Sequence, residues 1–292
     1  MTRFSIGGHL VEVGFVAGDG IDGLWLLPSY ERFVTMQEGE PLFRLQVEES
    51  MEPSAARKKI GVFDTGNGDM EVWTLPDGGY EFLVKNIGGA SCCLLQMDKD
   101  IKNCRCALDG DREMRAFGLN TSLMMLYAFA GSQRETLLIH ASCVRHGGVA
   151  YCFVARSGTG KSTHAAMWLN YVDDTDLIND DNPVVRIEDG EVWVYGSPWS
   201  GKTPCHRNLR VRLGAITRIE RAEANSVERL DNMHAFASLL PTCSTMKWDS
   251  SVYGGVRDTI VKIIGMVPVY TLRCLPNKEA ATLLSEELRV EG

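Results

Sequence analysis

Along the first hundred residues the hydrophobic positions recur with a period of two, which is typical of strands that bury one face. Phe43, Leu45 and Val47 alternate with charged or amide side chains. Turn sequences rich in glycine and aspartate, at 64–69 and 76–79, separate runs of this kind. The pattern predicts antiparallel hairpins and a β-rich amino-terminal region.

A helical spacing of apolar positions follows at residues 112–130, and we expect this helix to bury its apolar side against the domain that comes next. Beyond it, strand-like and helix-like runs mix. Strands are predicted at 137–144, 149–154, 184–188, 191–195, 211–219 and 269–274. Helices are predicted near 226–240, 256–264 and 277–288. We therefore predict two domains, a β-rich domain at 1–130 that ends in a helix and an α/β domain at 131–292.

Two short turns predict the register of two hairpins in the second domain. A Gly-Gly pair at 147–148 is typical of a two-residue turn, and the pairing that it sets places His140 opposite Ala155. An Asp-Gly pair at 189–190 predicts a second hairpin of the same kind. Its register brings the loop that follows the hairpin back toward residues 180–182.

Composition is that of an ordinary folded protein, with 45% hydrophobic and 23% charged residues among 292. A formal net charge of −8 argues against a nucleic-acid-binding surface. No segment resembles a signal peptide, and the longest apolar run, 123–130, is far too short to cross a bilayer. We therefore predict a cytoplasmic protein without nucleic-acid or membrane partners. Nine cysteines, an odd number, fit reduced thiols better than a disulfide framework.

The motif that carries most chemical information is Ala-Arg-Ser-Gly-Thr-Gly-Lys-Ser-Thr at 155–163, between a predicted strand and a helix-like run. Its glycines let the backbone curl around phosphate oxygens, while Lys161 reaches the β- and γ-phosphates and Ser162 offers a hydroxyl to Mg²⁺. Ala155 replaces the first glycine of the motif, at a position that shapes the entry of the turn. A glycine-rich turn that only caps a helix is the alternative. We predict a P-loop, or Walker A motif, that binds nucleotide through Ser157, Gly158, Thr159, Gly160, Lys161, Ser162 and Thr163.

Two adjacent carboxylates, Asp180 and Asp181, form the second candidate cluster. One of them can hold Mg²⁺ and the other can accept the proton of an attacking hydroxyl, as phosphoryl transfer requires. The predicted registers place His140 beside the mouth of the P-loop and bring the loop after the second hairpin close to the carboxylates. Lys202 and Arg207 are therefore candidates for binding phosphate or substrate. A solvated Asp-Asp turn, a structural strand histidine and ordinary surface cations are the simpler interpretations.

The order of His140, Ser-Gly-Thr-Gly-Lys-Ser at 157–162 and Leu-Ile-Asn-Asp-Asp at 177–181 resembles the catalytic domain of HPr kinase/phosphorylase and the related phosphoenolpyruvate carboxykinases. The resemblance covers roughly residues 133–220. It implies an α/β fold, with a P-loop domain of this HPr kinase/phosphoenolpyruvate carboxykinase type and a mixed antiparallel sheet. The β-rich domain precedes it.

The resemblance also implies roles for individual residues. In that family pattern His140 orients an aspartate, Lys161 stabilises phosphate charge and Asp180 acts as the base. Asp181 and Ser162 lie on the metal side. The sequence leaves open which of the two aspartates takes which role. Where those kinases carry Glu-x-Arg-Gly, this chain has Asn-Leu-Arg-Val-Arg-Leu at 208–213. Phosphorylase activity and the HPr substrate are therefore not carried over.

We predict an enzyme, an ATP- and Mg²⁺-dependent kinase that transfers the γ-phosphoryl group to a hydroxyl, with serine of a peptide or protein as the expected acceptor. Two alternatives stay open. One is a non-catalytic nucleotide-binding regulatory or scaffold protein, and the other is a carboxykinase-like enzyme that acts on a small acid. The choice between ATP and GTP, the acceptor and assembly into a homo-oligomer are not determined by the sequence.

Overall fold

The computed structural model describes residues 1–16, 23–156, 158–201 and 203–290. Two predicted site residues, Ser157 and Lys202, lie outside the described residues. The chain forms two compact units, Met1–Ala130 and Gly131–Gly292. Each unit contains one large sheet, and the architecture is mixed α/β with mixed sheets.

Strands and helices follow one another in both units. The strands of the first unit are β1 (Thr2–Ile6), β2 (His9–Phe15), β3 (Phe43–Glu48), β4 (Lys58–Asp64), β5 (Asp69–Thr74), β6 (Tyr80–Lys85), β7 (Ser91–Met97) and β8 (Asn103–Leu108). Its helices are α1 (Gly23–Leu26) and α2 (Arg112–Gly131). The strands of the second unit are β9 (Thr136–Leu138), β10 (Ala141–His146), β11 (Val149–Val154), β12 (Thr175–Asn179), β13 (Val184–Glu188), β14 (Glu191–Tyr195), β15 (Arg210–Arg221), β16 (Ser226–Arg229) and β17 (Val269–Cys274). Its helices are α3 (Lys161–Tyr171), α4 (Asn232–Leu239), α5 (Ser250–Met266) and α6 (Lys278–Val290).

The helices of the described ranges are all too short or too polar to cross a lipid bilayer.

The first unit is built on an eight-stranded sheet in the order β1-β2-β3-β8-β7-β6-β5-β4. Neighbours from β4 to β8 pair in antiparallel fashion, as the turn sequences predict. Strand β3 instead pairs in parallel with both β2 and β8. Within β3, Phe43, Leu45 and Val47 are buried, so the predicted alternation is confirmed.

Helix α2 packs on the sheet of its own unit. Gly118 lies so close to β7 that a Cβ atom there would come within 2.6 Å of the Cys92 carbonyl oxygen. Further along the helix, the Tyr127 hydroxyl donates to the Ile6 carbonyl oxygen at 2.9 Å. The prediction that this helix buries its apolar side against the following domain was therefore wrong, because the strands that precede it have an apolar face that needs a cover.

Gly118→Ala is expected to lower the free energy of unfolding by about 2 kcal/mol, since an added methyl group against a main chain forces the helix off the sheet. The matched control is Gly254→Ala in α5, where a Cβ atom would meet nothing within 4 Å. That variant should gain about 0.5–1 kcal/mol, because alanine is favoured over glycine inside a helix. Urea unfolding of both variants checks the pair. Equal stability of Gly118→Ala and the parent would show that α2 can move away from β7.

The second unit is built on a nine-stranded sheet in the order β12-β10-β11-β15-β14-β13-β9, with β17 and β16 branching from β15. Strands β11, β15 and β17 are parallel to one another. The carboxyl ends of parallel strands lie at the same edge of a sheet. The glycine-rich segment that follows β11 therefore lies at the edge where β15 also ends.

Both predicted hairpin registers are confirmed. Ala141 pairs with Val154 across the first turn, and Val184 pairs with Tyr195 across the second. The Gly-Gly pair at 147–148 has φ values of 56° and 82°, which a two-residue turn of type I′ requires and which glycine adopts without strain.

The predicted strand 137–144 is broken into two. Strand β9 ends at Leu138 and pairs with β13, whereas β10 begins at Ala141 and pairs with β11 and β12. The chain therefore passes from one part of the sheet to another at Ile139 and His140. The predicted helix near 226–240 is also partly wrong, because Ser226–Arg229 forms β16 and the helix begins only at Asn232.

Two cores lie against the second sheet. One contains Ala165 and Trp168 of α3 together with Leu284 of α6. The other contains Val256 and Ile260 of α5, among apolar side chains of β10, β11 and β15. Helix α3 is thereby fixed against β11, so the segment that joins them has both ends on rigid elements.

Candidate active site

The glycine-rich segment 155–160 joins the end of β11 to the start of α3. Gly158 and Gly160 have φ values of 75° and 126°, which other residues rarely adopt. Gly160 caps α3 and brings no side chain to the N–H groups of the first turn, which begins at Lys161. The N–H groups at the start of an eleven-residue helix carry a partial positive charge, so this end of α3 is suited to an anion.

Lys161, His140 and Asp181 meet beside this segment. The Nζ atom of Lys161 lies 2.9 Å from Nε2 of His140, and the same ring nitrogen lies 3.4 Å from Oδ1 of Asp181. Lys161 is 8% exposed. Burial lowers the pKa of its ammonium group, while the nearby carboxylates of Asp181 and Asp180 act in the opposite direction. One nitrogen of His140 is thus shared between a lysine and a carboxylate.

Main-chain hydrogen bonds hold His140 beside Asp181. The N–H group of His140 donates to the Thr242 carbonyl oxygen at 2.8 Å, and that of Ala141 donates to the Asp181 carbonyl oxygen at 2.9 Å. The two bonds form at the break between β9 and β10, His140 lying within the break and Ala141 opening β10. The break in the predicted strand is therefore what brings this histidine to the aspartate.

Asp180 is enclosed, with 5% of its surface exposed. Its Oδ1 atom accepts a hydrogen bond from the Ser142 hydroxyl at 2.7 Å. Its Oδ2 atom is buried and has no hydrogen-bond partner among the described residues. Buried polar atoms are nearly always paired in folded proteins, so an unpartnered carboxylate oxygen is an exceptional feature of this site.

Asn179 ties the two carboxylates to the loop that follows β14. Its Oδ1 atom accepts from the N–H groups of Asp181 and Asn182, both at 2.9 Å. Its Nδ2 atom donates to the Ser197 hydroxyl at 3.1 Å and to the Trp199 carbonyl oxygen at 3.2 Å. Asn179 is completely buried. Its amide therefore sets the turn on which both carboxylates lie.

The predicted return of the loop after β14 to the carboxylates is confirmed for its described part. The N–H group of Asn182 donates to the Trp199 carbonyl oxygen at 3.2 Å, and the Ser197 hydroxyl donates to the Asn182 carbonyl oxygen at 2.6 Å. A Cβ atom on Gly201 would lie 3.3 Å from that of Asp181. Lys202, the next residue, lies outside the described part.

Arg207, the other predicted phosphate-binding cation, lies against β12 at the margin of the sheet. Its guanidinium pairs with Asp176 at 2.6 Å and donates to the Leu177 carbonyl oxygen. Asp176 also pairs with Arg145 at 2.7 Å. Burial acts to raise the pKa of Asp176, but hydrogen bonds from Arg145 and Arg207 outweigh it and lower that pKa. The structure thus gives Arg207 a part in covering a strand edge, which is one way to prevent pairing with another chain.

Three residues of the site were missed in the sequence. Ser142 gives no signal, because a small polar residue in an apolar strand is common. Asn179 stands in a turn-like run, and asparagine side chains often bond to the main chain two residues on, so its role had a detectable signal. Arg221 donates to the carbonyl oxygens of Gly158 and Thr159. Arg221 reaches this segment because β15 pairs in parallel with β11. The two strands are far apart in the chain, so no local sequence pattern predicts the contact.

His164 in α3 is expected to make stability depend on pH. It is 1% exposed, its Nε2 atom accepts from the Trp168 indole at 3.1 Å, and burial lowers its pKa to about 4. The unfolded chain, in which histidine titrates near 6.5, binds more protons between these two values. The free energy of unfolding should therefore fall by roughly 3 kcal/mol as the pH drops from 7 toward 4.

Urea unfolding at pH 7.5 and pH 4.5 measures this effect. His164→Gln keeps an acceptor for Trp168 and has no ring to protonate, so its stability should fall less with pH than that of the parent. Equal losses in both proteins would assign the pH dependence to other groups.

Comparison with known proteins gives little support from sequence. No family model matches the chain, and no curated protein matches it. Among solved structures, the chain is weakly similar to the HPr(Ser) kinase/phosphatase from Coxiella burnetii, with 10% sequence identity and a TM-score of 0.32. The similarity covers 53% of this chain and 89% of that one.

Proposed function

We propose that the second unit is an ATP- and Mg²⁺-dependent kinase that transfers a phosphoryl group to a hydroxyl, with serine of a peptide or protein as the acceptor. The observation that carries this proposal is the cluster of Lys161, His140 and two carboxylates at the start of α3. Phosphoryl transfer requires four kinds of group, namely a cation, a base, a metal ligand and an anion-binding helix terminus.

In this proposal the triphosphate lies at the start of α3. The N–H groups of residues 158–163 surround its β- and γ-phosphates, and the ammonium group of Lys161 leaves His140 to pair with phosphate oxygens. Because Lys161 is largely buried, its attraction to a phosphate is less weakened by water than that of a surface lysine. Ser162 and Thr163 are exposed in the first turn, within the reach of such a ligand.

The residues present fit a magnesium ion. Mg²⁺ binds through one or two carboxylates together with substrate phosphates, and Asp180 has a buried oxygen without a partner among the described residues. We place Asp180 and the exposed hydroxyl of Ser162 on the metal side. When bound, the ion supplies charge neutralisation to the phosphates. This arrangement gives Asp180 the metal role that the resemblance assigns to Asp181.

Asp181 is then the base. Its side chain is 36% exposed and accessible to an acceptor, while its Oδ2 atom accepts from the Asn182 amide at 2.7 Å. Once Lys161 pairs with phosphate, the ring of His140 keeps Asp181 as its partner and orients it. The proton of the acceptor hydroxyl passes to Asp181 as the hydroxyl oxygen bonds to the γ-phosphorus, and the bond to ADP breaks.

Label transfer from γ-labelled ATP tests the proposal. The protein is incubated with Mg²⁺ and a library of serine-containing peptides, and we expect transfer by the parent that is lost in Lys161→Ala. Nucleotide binding that depends on Lys161 without transfer to any acceptor would favour the non-catalytic regulatory alternative. Nucleotide consumption that requires oxaloacetate would favour the carboxykinase-like one. Absence of nucleotide binding in calorimetry would refute all three.

A further inference from the structure

Arg221 contacts the glycine-rich segment from outside the proposed nucleotide site. Its Nη2 atom donates to the Gly158 carbonyl oxygen at 2.7 Å, and its Nε atom donates to the Thr159 carbonyl oxygen at 3.1 Å. One planar guanidinium therefore holds two consecutive peptide groups, a geometry that a lysine cannot reproduce.

The alternation of side chains along β15 directs Arg221 to this place. Ile219, two residues earlier and on the same face, is buried in the core that contains α3. Arg218 and Glu220 lie on the opposite face and pair with each other at 2.7 Å. Arg218 is also opposite Val154 in the parallel pairing with β11. The strand therefore ends beside the segment that follows Val154.

Side-chain packing gives this part of the segment little support. A Cβ atom on Gly158 would meet nothing within 4 Å, and glycine adopts positive and negative φ values about equally readily. Neither packing nor side-chain sterics therefore holds its φ at the observed 75°. The hydrogen bonds from Arg221 act on the peptide groups on either side of Thr159. They fix the direction of the peptide planes and hence the direction in which the N–H groups point.

We propose that Arg221 is a positioning residue for nucleotide, which holds Gly158 and Thr159 in the conformation that receives the phosphates. The inference rests on the proposed nucleotide site and adds a residue to it. The positive charge of Arg221 also contributes to the attraction of a polyphosphate. Because the bound phosphates need this conformation both before and during transfer, the loss of Arg221 should raise the KM for ATP and leave kcat nearly unchanged.

Three variants test this role. Arg221→Ala should weaken Mg·ATP binding about tenfold in titration calorimetry, the scale expected when charged hydrogen bonds are lost. Arg221→Lys should recover part of the affinity, because an ammonium group can bond to one carbonyl. Arg218→Ala removes the same charge from the other face of β15 and should bind ATP like the parent. Steady-state kinetics should show the change in KM and not in kcat.

Hydrogen exchange of the nucleotide-free protein gives a readout that does not depend on binding. The amides of residues 158–160 should exchange faster in Arg221→Ala than in the parent or in Arg218→Ala. Unchanged exchange together with unchanged ATP affinity in Arg221→Ala would overturn the inference while leaving the proposed function intact. A parent that binds no nucleotide would refute the proposed function, and with it the role of Arg221 toward nucleotide.

Discussion

Lys161→Ala is expected to lower the affinity for Mg·ATP by about thirtyfold or more, because removal of a largely desolvated charge partner typically costs 2 kcal/mol or more. Its ammonium group is the cation that lies at the start of α3, 2.9 Å from His140. Since burial already disfavours the charge of this lysine, its removal should leave the melting temperature nearly unchanged. Titration calorimetry and thermal unfolding measure the two effects separately.

The matched control is Lys262→Ala. Lys262 pairs with Glu135 on the surface of the same unit and is 55% exposed, so the substitution removes one positive charge without touching the site. It should bind ATP like the parent. Equal losses in both variants would attribute the effect to net charge, and normal binding by Lys161→Ala would contradict the proposed nucleotide site.

Asp181→Asn is expected to slow phosphoryl transfer by about 10²- to 10⁴-fold, the usual contribution of a general base, with ATP affinity nearly unchanged. Asparagine keeps the size of the side chain and an oxygen that can accept from Asn182, but it cannot take a proton. Single-turnover transfer from labelled ATP, together with calorimetric binding, checks both parts.

Asp180→Asn should give a different pattern. Since its unpartnered Oδ2 atom is proposed to lie on the metal side, the substitution should weaken ATP binding in the presence of Mg²⁺ more than in its absence. A reversed pattern, with Mg²⁺-dependent binding lost in Asp181→Asn and transfer alone lost in Asp180→Asn, would exchange the two roles. That result would restore the assignment implied by the resemblance to HPr kinases.

Local patterns were sufficient wherever the interacting residues are close in sequence. The turns at 147–148 and 189–190 set two hairpin registers that the structure confirms, because a two-residue turn leaves one pairing that keeps the apolar faces together. Strand β17 was predicted with its observed bounds. Pro268 opens this mainly apolar run and Pro276 follows it closely, so the run has the length of a strand and its bounds are well marked.

Features that depend on distant partners could not be predicted. The apolar run 137–144 reads as one strand, and only its pairing with β13 on one side and β11 on the other divides it at His140. The parallel pairs of β3 and β15 join segments separated by long stretches of chain. For the same reason Ser142 and Arg221 were not found. The chemical roles of Lys161, His140 and the two aspartates stay predictions until the variants are measured.

The hydrogen bonds that hold His140 beside Asp181 run through the main chain. Every residue carries a main-chain carbonyl group, and every residue except proline carries a main-chain N–H group. These bonds therefore do not depend on which side chains stand at positions 140 and 181. Substitutions at 140 and 181 therefore change the reacting side chains and leave the main-chain conformation of the site in place. Such a scaffold can acquire a new acceptor specificity, in evolution or in the laboratory, by exchanging a few side chains without first repairing its fold.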